Sequence, residues 1–176
     1  MLNMLIRALV LASVSISPVA FAPATAAKRM EPAVAVEEPG LIGTWRLVRF
    51  ENRSQDGKID QPYGEHPLGY FVYDQTGHLS IHIMRNPPPP PLASGHKDTA
   101  TDAEKIQAYG AYTGYFGTFR VDKGKHVLHH QVEGALDTTY TNTDQLRPYR
   151  LIGDVLIIAA DRPDGSSFYR ELHRVR

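Results

Sequence analysis

Gly40-Leu41-Ile42-Gly43-Thr44-Trp45-Arg46-Leu47-Val48-Arg49-Phe50-Glu51 decides the fold. From Trp45 onward apolar and charged residues alternate, with Trp45 and Leu47 on one face and Arg46 on the other. A period of two belongs to a β-strand with one face buried. The chain's one tryptophan stands at the start of this strand, just after a Gly-x-Trp step. The segments downstream repeat the same pattern, so Trp45 is expected to plug one end of whatever they enclose.

Upstream of this strand the pattern changes. Arg7, the apolar run from Ala8 to Ala22 and the small-x-small site Ala24-Thr25-Ala26 together form a secretory signal peptide over residues 1–26. Pro18 and Pro23 interrupt the run before it reaches the roughly 20 residues that a membrane span needs. The mature chain is expected to begin near Ala27, in the periplasm or the medium, with no integral membrane anchor. Residues 27–39 are an Ala/Pro/Glu-rich tail with nothing to bury, expected to be disordered. Gly40 to Arg176 has the length of one domain. Formal charge is +0, cysteine is absent, and no basic stripe marks a nucleic-acid face, so no nucleic-acid partner is expected. An exported chain without cysteine has no disulfide to rely on, and its core must hold it together.

Downstream, Asn52 to Glu65 is polar and punctuated by Gly and Pro, a loop. Pro67–Asp74 and His78–Met84 form a hairpin about the turn Asp74-Gln75-Thr76-Gly77. Five prolines, Pro87 to Pro91, follow; they lack ladder donors and favour polyproline II geometry in a stiff surface loop. Thr101-Asp102-Ala103-Glu104 is a capping box that starts a helix to Thr113, with Ile106 and Tyr109 on its apolar stripe. Strands resume at Tyr115–Val121, His126–Glu133, Gln145–Leu151, Val155–Ala160 and Phe168–Val175. The count is eight strands joined by short turns, with one helix between the third and the fourth. Such an order closes into an all-β, eight-stranded antiparallel up-and-down barrel. Its interior is wide enough to be filled by side chains or to hold one small ligand.

Leu41-Ile42-Gly43-Thr44-Trp45-Arg46-Leu47-Val48, Pro62-Tyr63-Gly64, Gly69-Tyr70-Phe71-Val72-Tyr73 with Gly77, Tyr115-Phe116-Gly117-Thr118-Phe119, His129-His130, Val132-Glu133-Gly134 and Thr143-Asp144-Gln145 resemble the bacterial lipocalin-like domain family. The resemblance covers nearly all of residues 40–176. It implies a calycin-type barrel over that range and no single activity, because fold does not fix function. In such barrels a C-terminal arginine often lies across the Gly-x-Trp tryptophan, which makes Arg174 the expected partner of Trp45. The chain departs from the family pattern in two places. The proline run lengthens the loop before the helix, and Gln131 is an extra residue after the histidine pair, which implies a bulge there.

No nucleotide loop, nucleophile elbow or zinc-protease helix is present. Polar residues inside strands are the candidates. His82 lies in phase with Ser80 and Met84; Arg147 lies in phase with Gln145, Tyr149 and Leu151. An inward guanidinium needs a carboxylate or an anionic ligand. Adjacent His129 and His130 point to opposite faces of a regular strand and cannot share one ion, so no metal is expected, and no cofactor. His78, His126 and Arg120 are read as solvent-facing. The expected site is a cavity lined by Tyr70, Tyr115, Phe119 and Tyr149, with His82, His129 and Arg147 as polar anchors and the helix as its cap. Nine tyrosines, six phenylalanines and one tryptophan, all but Phe21 outside the signal, suit a cavity for a small, largely apolar molecule. The other reading is a cofactor-independent isomerase or cyclase. It would use the same cavity, with His129 and Glu133, or His82 and Tyr115, as acid–base pairs.

Overall fold

The computed structural model describes residues 38–176, so the expected signal peptide and almost all of the expected tail lie outside the described residues. Nine strands form one antiparallel sheet: β1 (Gly43–Arg53), β2 (Ile59–Asp60), β3 (Leu68–Tyr73), β4 (His78–Met84), β5 (Tyr112–Asp122), β6 (Val127–Ala135), β7 (Asp144–Ile152), β8 (Val155–Asp161) and β9 (Ser167–Arg174). Each strand from β3 to β9 pairs with the next, β1 pairs with β3, and β1 also pairs with β9. The sheet is therefore a closed barrel of eight strands, with β2 appended to the far end of β1 through Asn52 and Arg53. Closure leaves the eight strands without free edges, which suits a chain with no disulfide.

The alternation read from the sequence is the alternation of burial. Trp45, Leu47, Phe71, Tyr73, Leu79, Ile81, Leu128, Leu156 and Leu172 face inward and form the core. Two bulges adjust it. In β1, Leu47 pairs with Leu172 but Arg49 pairs with Glu171, so Val48 is the extra residue. In β6, Gly117 pairs with Val132 but Phe116 with Gly134, so the extra residue is Glu133 and not Gln131, which pairs regularly with Thr118. Between Val132 and Gly134 the strand has already begun to leave β7, which it accompanies only as far as Gln131.

One end of the barrel is sealed. Trp45 is fully buried, and its indole N–H donates to the Leu41 carbonyl at 2.8 Å, anchored by the 3₁₀ turn Pro39–Leu41. The Arg174 guanidinium lies 4.1 Å from the indole centroid and donates to the Ile42 carbonyl at 2.9 Å and to the Gly40 carbonyl. Gly43 makes room for it. Its φ is +137°, and a Cβ there would come within 2.9 Å of Arg174 Nη1.

The one α-helix among the described residues, α1 (Asp102–Gly110), follows β4, the fourth strand rather than the third, because the short β2 forms within the segment expected to be a loop. Its capping box is complete: Thr101 Oγ1 accepts from the Glu104 N–H at 3.3 Å, and Glu104 Oε2 accepts from the Thr101 N–H at 2.8 Å. The helix ends at Gly110, three residues short of the expected Thr113, because β5 already starts at Tyr112 to pair with Met84. No residue of α1 is buried, and Ile106 and Tyr109 are 72% and 57% exposed. The helix does not cap the barrel.

Candidate functional site

The end of the barrel opposite Trp45 is hollow. Phe50 and Arg170 in β1 and β9, Tyr115 in β5 and Arg147 in β7 stand at inward positions toward this end, where the core thins out. They line a cavity of about 220 Å³. Phe71, Ile83, Ile158 and Phe168 supply apolar wall, and Tyr63, Asp137, Tyr140 and Arg162 come from the loops at its mouth. Tyr63 packs edge-on to Phe50 at 4.8 Å and Tyr140 edge-on to Tyr115 at 5.9 Å. These two loop tyrosines, not α1, cover the opening. A wider depression of about 520 Å³ lies mainly against the outer faces of β1, β7, β8 and β9. Most of its lining, including Arg49, Arg150 and Tyr169, is the solvent-facing half of the strand alternation, so it reflects the curvature of the wall.

The expected anchors divide between the two faces. Tyr115 and Arg147 line the cavity. Phe119 and Tyr149 also point inward and are buried, but both belong to the filled core: Phe119 packs edge-on to Tyr73 at 5.0 Å. Tyr70, His82 and His129 lie on the outer face, which corrects their expected place among the lining residues. Tyr70 carries the Arg46 guanidinium 4.8 Å from its ring. His82 is exposed and bonds Ser80 Oγ at 2.8 Å and Tyr112 Oη at 2.5 Å, so the tyrosine it meets is not Tyr115. His129 bonds Asp144 Oδ2 at 2.8 Å, beside Arg120. Glu133 is the exposed bulge residue and has no contact with His129 among the bonds of the described residues. Strand phase explains all three corrections. Phe71, Ile81, Ile83, Leu128, His130 and Val132 take the inward places, and their immediate neighbours must face out.

His130 is the inward member of the histidine pair and is fully buried. Its Nε2 lies 3.1 Å from Tyr73 Oη and its Nδ1 2.9 Å from Tyr115 Oη. Burial above all, with Arg147 and His129 adding like charge, holds the imidazole well below its ordinary value, so it is neutral. The hydrogen-bond inventory then assigns the tautomer. Tyr73 is fully buried with His130 as its one side-chain partner among the described residues, so its O–H must donate to Nε2 to avoid an orphaned donor. Nδ1 therefore carries the proton and donates to Tyr115. The O–H of Tyr115 is left to point into the cavity. Burial also pushes the Tyr115 phenol up to about 12, against the pull of Arg147, so this proton stays in place.

The cavity gathers three arginines. The guanidinium carbons of Arg162, Arg170 and Arg147 lie 5.3, 5.4 and 6.0 Å from the centroid of the Phe168 ring. Arg170 also sits 3.2 Å from the Phe50 centroid and donates to Asn52 Oδ1 at 2.8 Å and to the Glu51 carbonyl. Arg147 donates to Gln145 Oε1 at 3.2 Å and to its neighbour's carbonyl. Desolvation, then the Arg147 and Arg162 charges, push Arg170 down to about 9, where it remains a cation at neutral pH. Among the described residues no group of three His, Cys, Asp or Glu is placed to hold a metal ion.

Of these groups, His130, Arg162, Arg170, Tyr63 and Tyr140 were not expected at the site. Phase with Leu128 and Val132 identifies His130, and phase with Phe168 and Leu172 identifies Arg170. No periodic signal reaches the loop residues. Residues 42–167 match the model of the family described as lipocalin-like domain. Among solved structures, a redesigned β-barrel is 14% identical, with 82% of this chain and 99% of that chain covered and a TM-score of 0.41. No curated protein matches the chain.

Proposed function

Given that the chain belongs to the lipocalin-like domain family, we propose that it is an exported binding protein. In this reading it carries a small, largely apolar molecule in the hollow end of its barrel. One observation carries the proposal: a closed barrel is packed solid around Trp45 and left open over about 220 Å³ at its other end, within an aromatic and aliphatic wall. An apolar cavity of about 150 Å³ is enough to hold benzene, so a substituted single ring or a short alkyl chain is the size class. Tyr115 and Arg147 are the anchors, and Tyr63 and Tyr140 cover the entrance. Export rests on the Arg7, apolar-run and Ala24-Thr25-Ala26 pattern.

Calorimetric titration of the mature protein with neutral 3-phenylpropan-1-ol tests the reading. Saturable one-to-one uptake is expected, and Ile83→Trp, which fills the cavity from β4, should abolish it while circular dichroism stays that of the parent. Uptake unchanged in a folded Ile83→Trp variant would move the ligand out of the barrel.

A further inference from the structure

We propose that the ligand of this cavity is an anion, an amphipathic carboxylate whose acidic group sits among Arg147, Arg162 and Arg170. The inference rests on the cavity-binding reading above and adds the charge of what is bound. Three guanidiniums surround one phenyl ring, Phe168, at 5.3 to 6.0 Å. Six other arginine and lysine side chains form ion pairs among the described residues, yet no carboxylate of those residues lies within 4.0 Å of any of these three arginines. Asp137, the one acid in the lining, is turned back into its own loop. Its Oδ1 accepts from the Thr139 N–H at 3.0 Å and the Thr139 O–H at 2.7 Å.

Like charges crowded in a partly desolvated pocket repel one another and call for a counter-charge. Tyr115, the inward polar group beside Arg147, points the same way. The Tyr73–His130–Tyr115 relay leaves the Tyr115 O–H as a donor, so Arg147 and Tyr115 together offer protons to the cavity. A cluster of donors at one side of the cavity favours an acceptor, and the planar guanidinium fork matches a carboxylate. Phe71, Ile83 and Ile158 remain for an apolar body. A sulfonate or a phosphate monoester shares the chemistry, and the test separates these head groups.

The experiment is calorimetry on the mature protein with four probes of one body: 3-phenylpropanoate, 3-phenylpropane-1-sulfonate, 3-phenylpropyl phosphate and 3-phenylpropan-1-ol. The carboxylate is expected to bind at least tenfold tighter than the alcohol. Arg147→Gln should reduce that ratio to less than threefold by weakening the carboxylate more than the alcohol, while circular dichroism stays that of the parent. Salt should erode the preference for the anion and leave the alcohol unaffected. Carboxylate and alcohol binding alike would overturn the anion site and leave the cavity reading intact. Binding of no probe would overturn both. A sulfonate or phosphate tighter than the carboxylate would overturn the assignment of the head group as carboxylate.

Discussion

Arg174 lays its guanidinium over the indole of Trp45 at 4.1 Å and, from the same position, joins β9 to the 3₁₀ turn before β1 through the carbonyls of Gly40 and Ile42. Asp154, at the β7–β8 turn, fixes its Nε at 3.2 Å. One side chain thus ties together both ends of the barrel domain and the floor of the core. Arg174→Ala is expected to cost about 3 kcal/mol, combining a cation–π contact with charge-assisted hydrogen bonds at a partly buried site. Arg174→Lys should recover less than half of this, because an ammonium lacks the fork that reaches both carbonyls. Urea unfolding midpoints at constant m-value measure both; a lysine variant as stable as the parent would show that charge alone suffices.

The buried His130 gives stability a pH dependence of known sign. Its folded-state value lies below the unfolded one, so below about pH 6.5 the unfolded chain takes up a proton that the folded chain refuses. Its contribution is complete above that pH and falls by up to about 1.4 kcal/mol for each unit of further acidification. The groups around it are Tyr73, Tyr115, Arg147 and His129, of which His129 faces the outside and has its own carboxylate in Asp144. His130→Gln should be less stable at pH 8 and should lose that slope between pH 6.5 and 5. A slope unchanged in the variant would assign the titration to another group.

Tyr140 controls the entrance. Its edge-on contact with Tyr115 at 5.9 Å is worth about 0.5–1.5 kcal/mol. Tyr140→Ala is therefore expected to weaken probe binding about two- to tenfold, chiefly through faster release, seen by stopped-flow displacement. Its thermal midpoint should fall by only a few degrees, since the residue packs against the edge of the core from a loop.

The helix α1 should be indifferent to all of this. Ile106→Ser and Tyr109→Ser together replace two exposed side chains, and each is expected to shift stability by no more than about 0.5 kcal/mol and probe affinity not at all. A marked loss of binding in this double variant would restore the helix as a cover.

The sequence by itself determined the barrel. A period of two, broken by glycine-bearing turns, tells each residue between Gly43 and Arg174 whether it faces in or out once one neighbour is placed, and hairpin order leaves little choice of topology. Trp45 as the plug needed only that pattern; Arg174 as its partner came from the resemblance to other barrels of this kind. Where phase was applied without a fixed reference it failed. His129 and His82 were expected inside, although Leu128 and Val132, or Ile81 and Ile83, claim those places and leave His130 as the inward histidine. What only the tertiary structure decided is the contents of the hollow end. Arg147, Arg162 and Arg170 come from β7, the β8–β9 turn and β9, and Tyr63 and Tyr140 come from two loops with no period to read. They meet because the barrel closes, and closure depends on strand stagger and on the bulges at Val48 and Glu133, which hydrophobic alternation does not encode. The helix shows the same limit from the other side: its capping box fixed where it begins, but whether its apolar stripe would find a surface to cover was a matter of tertiary geometry, and it found none.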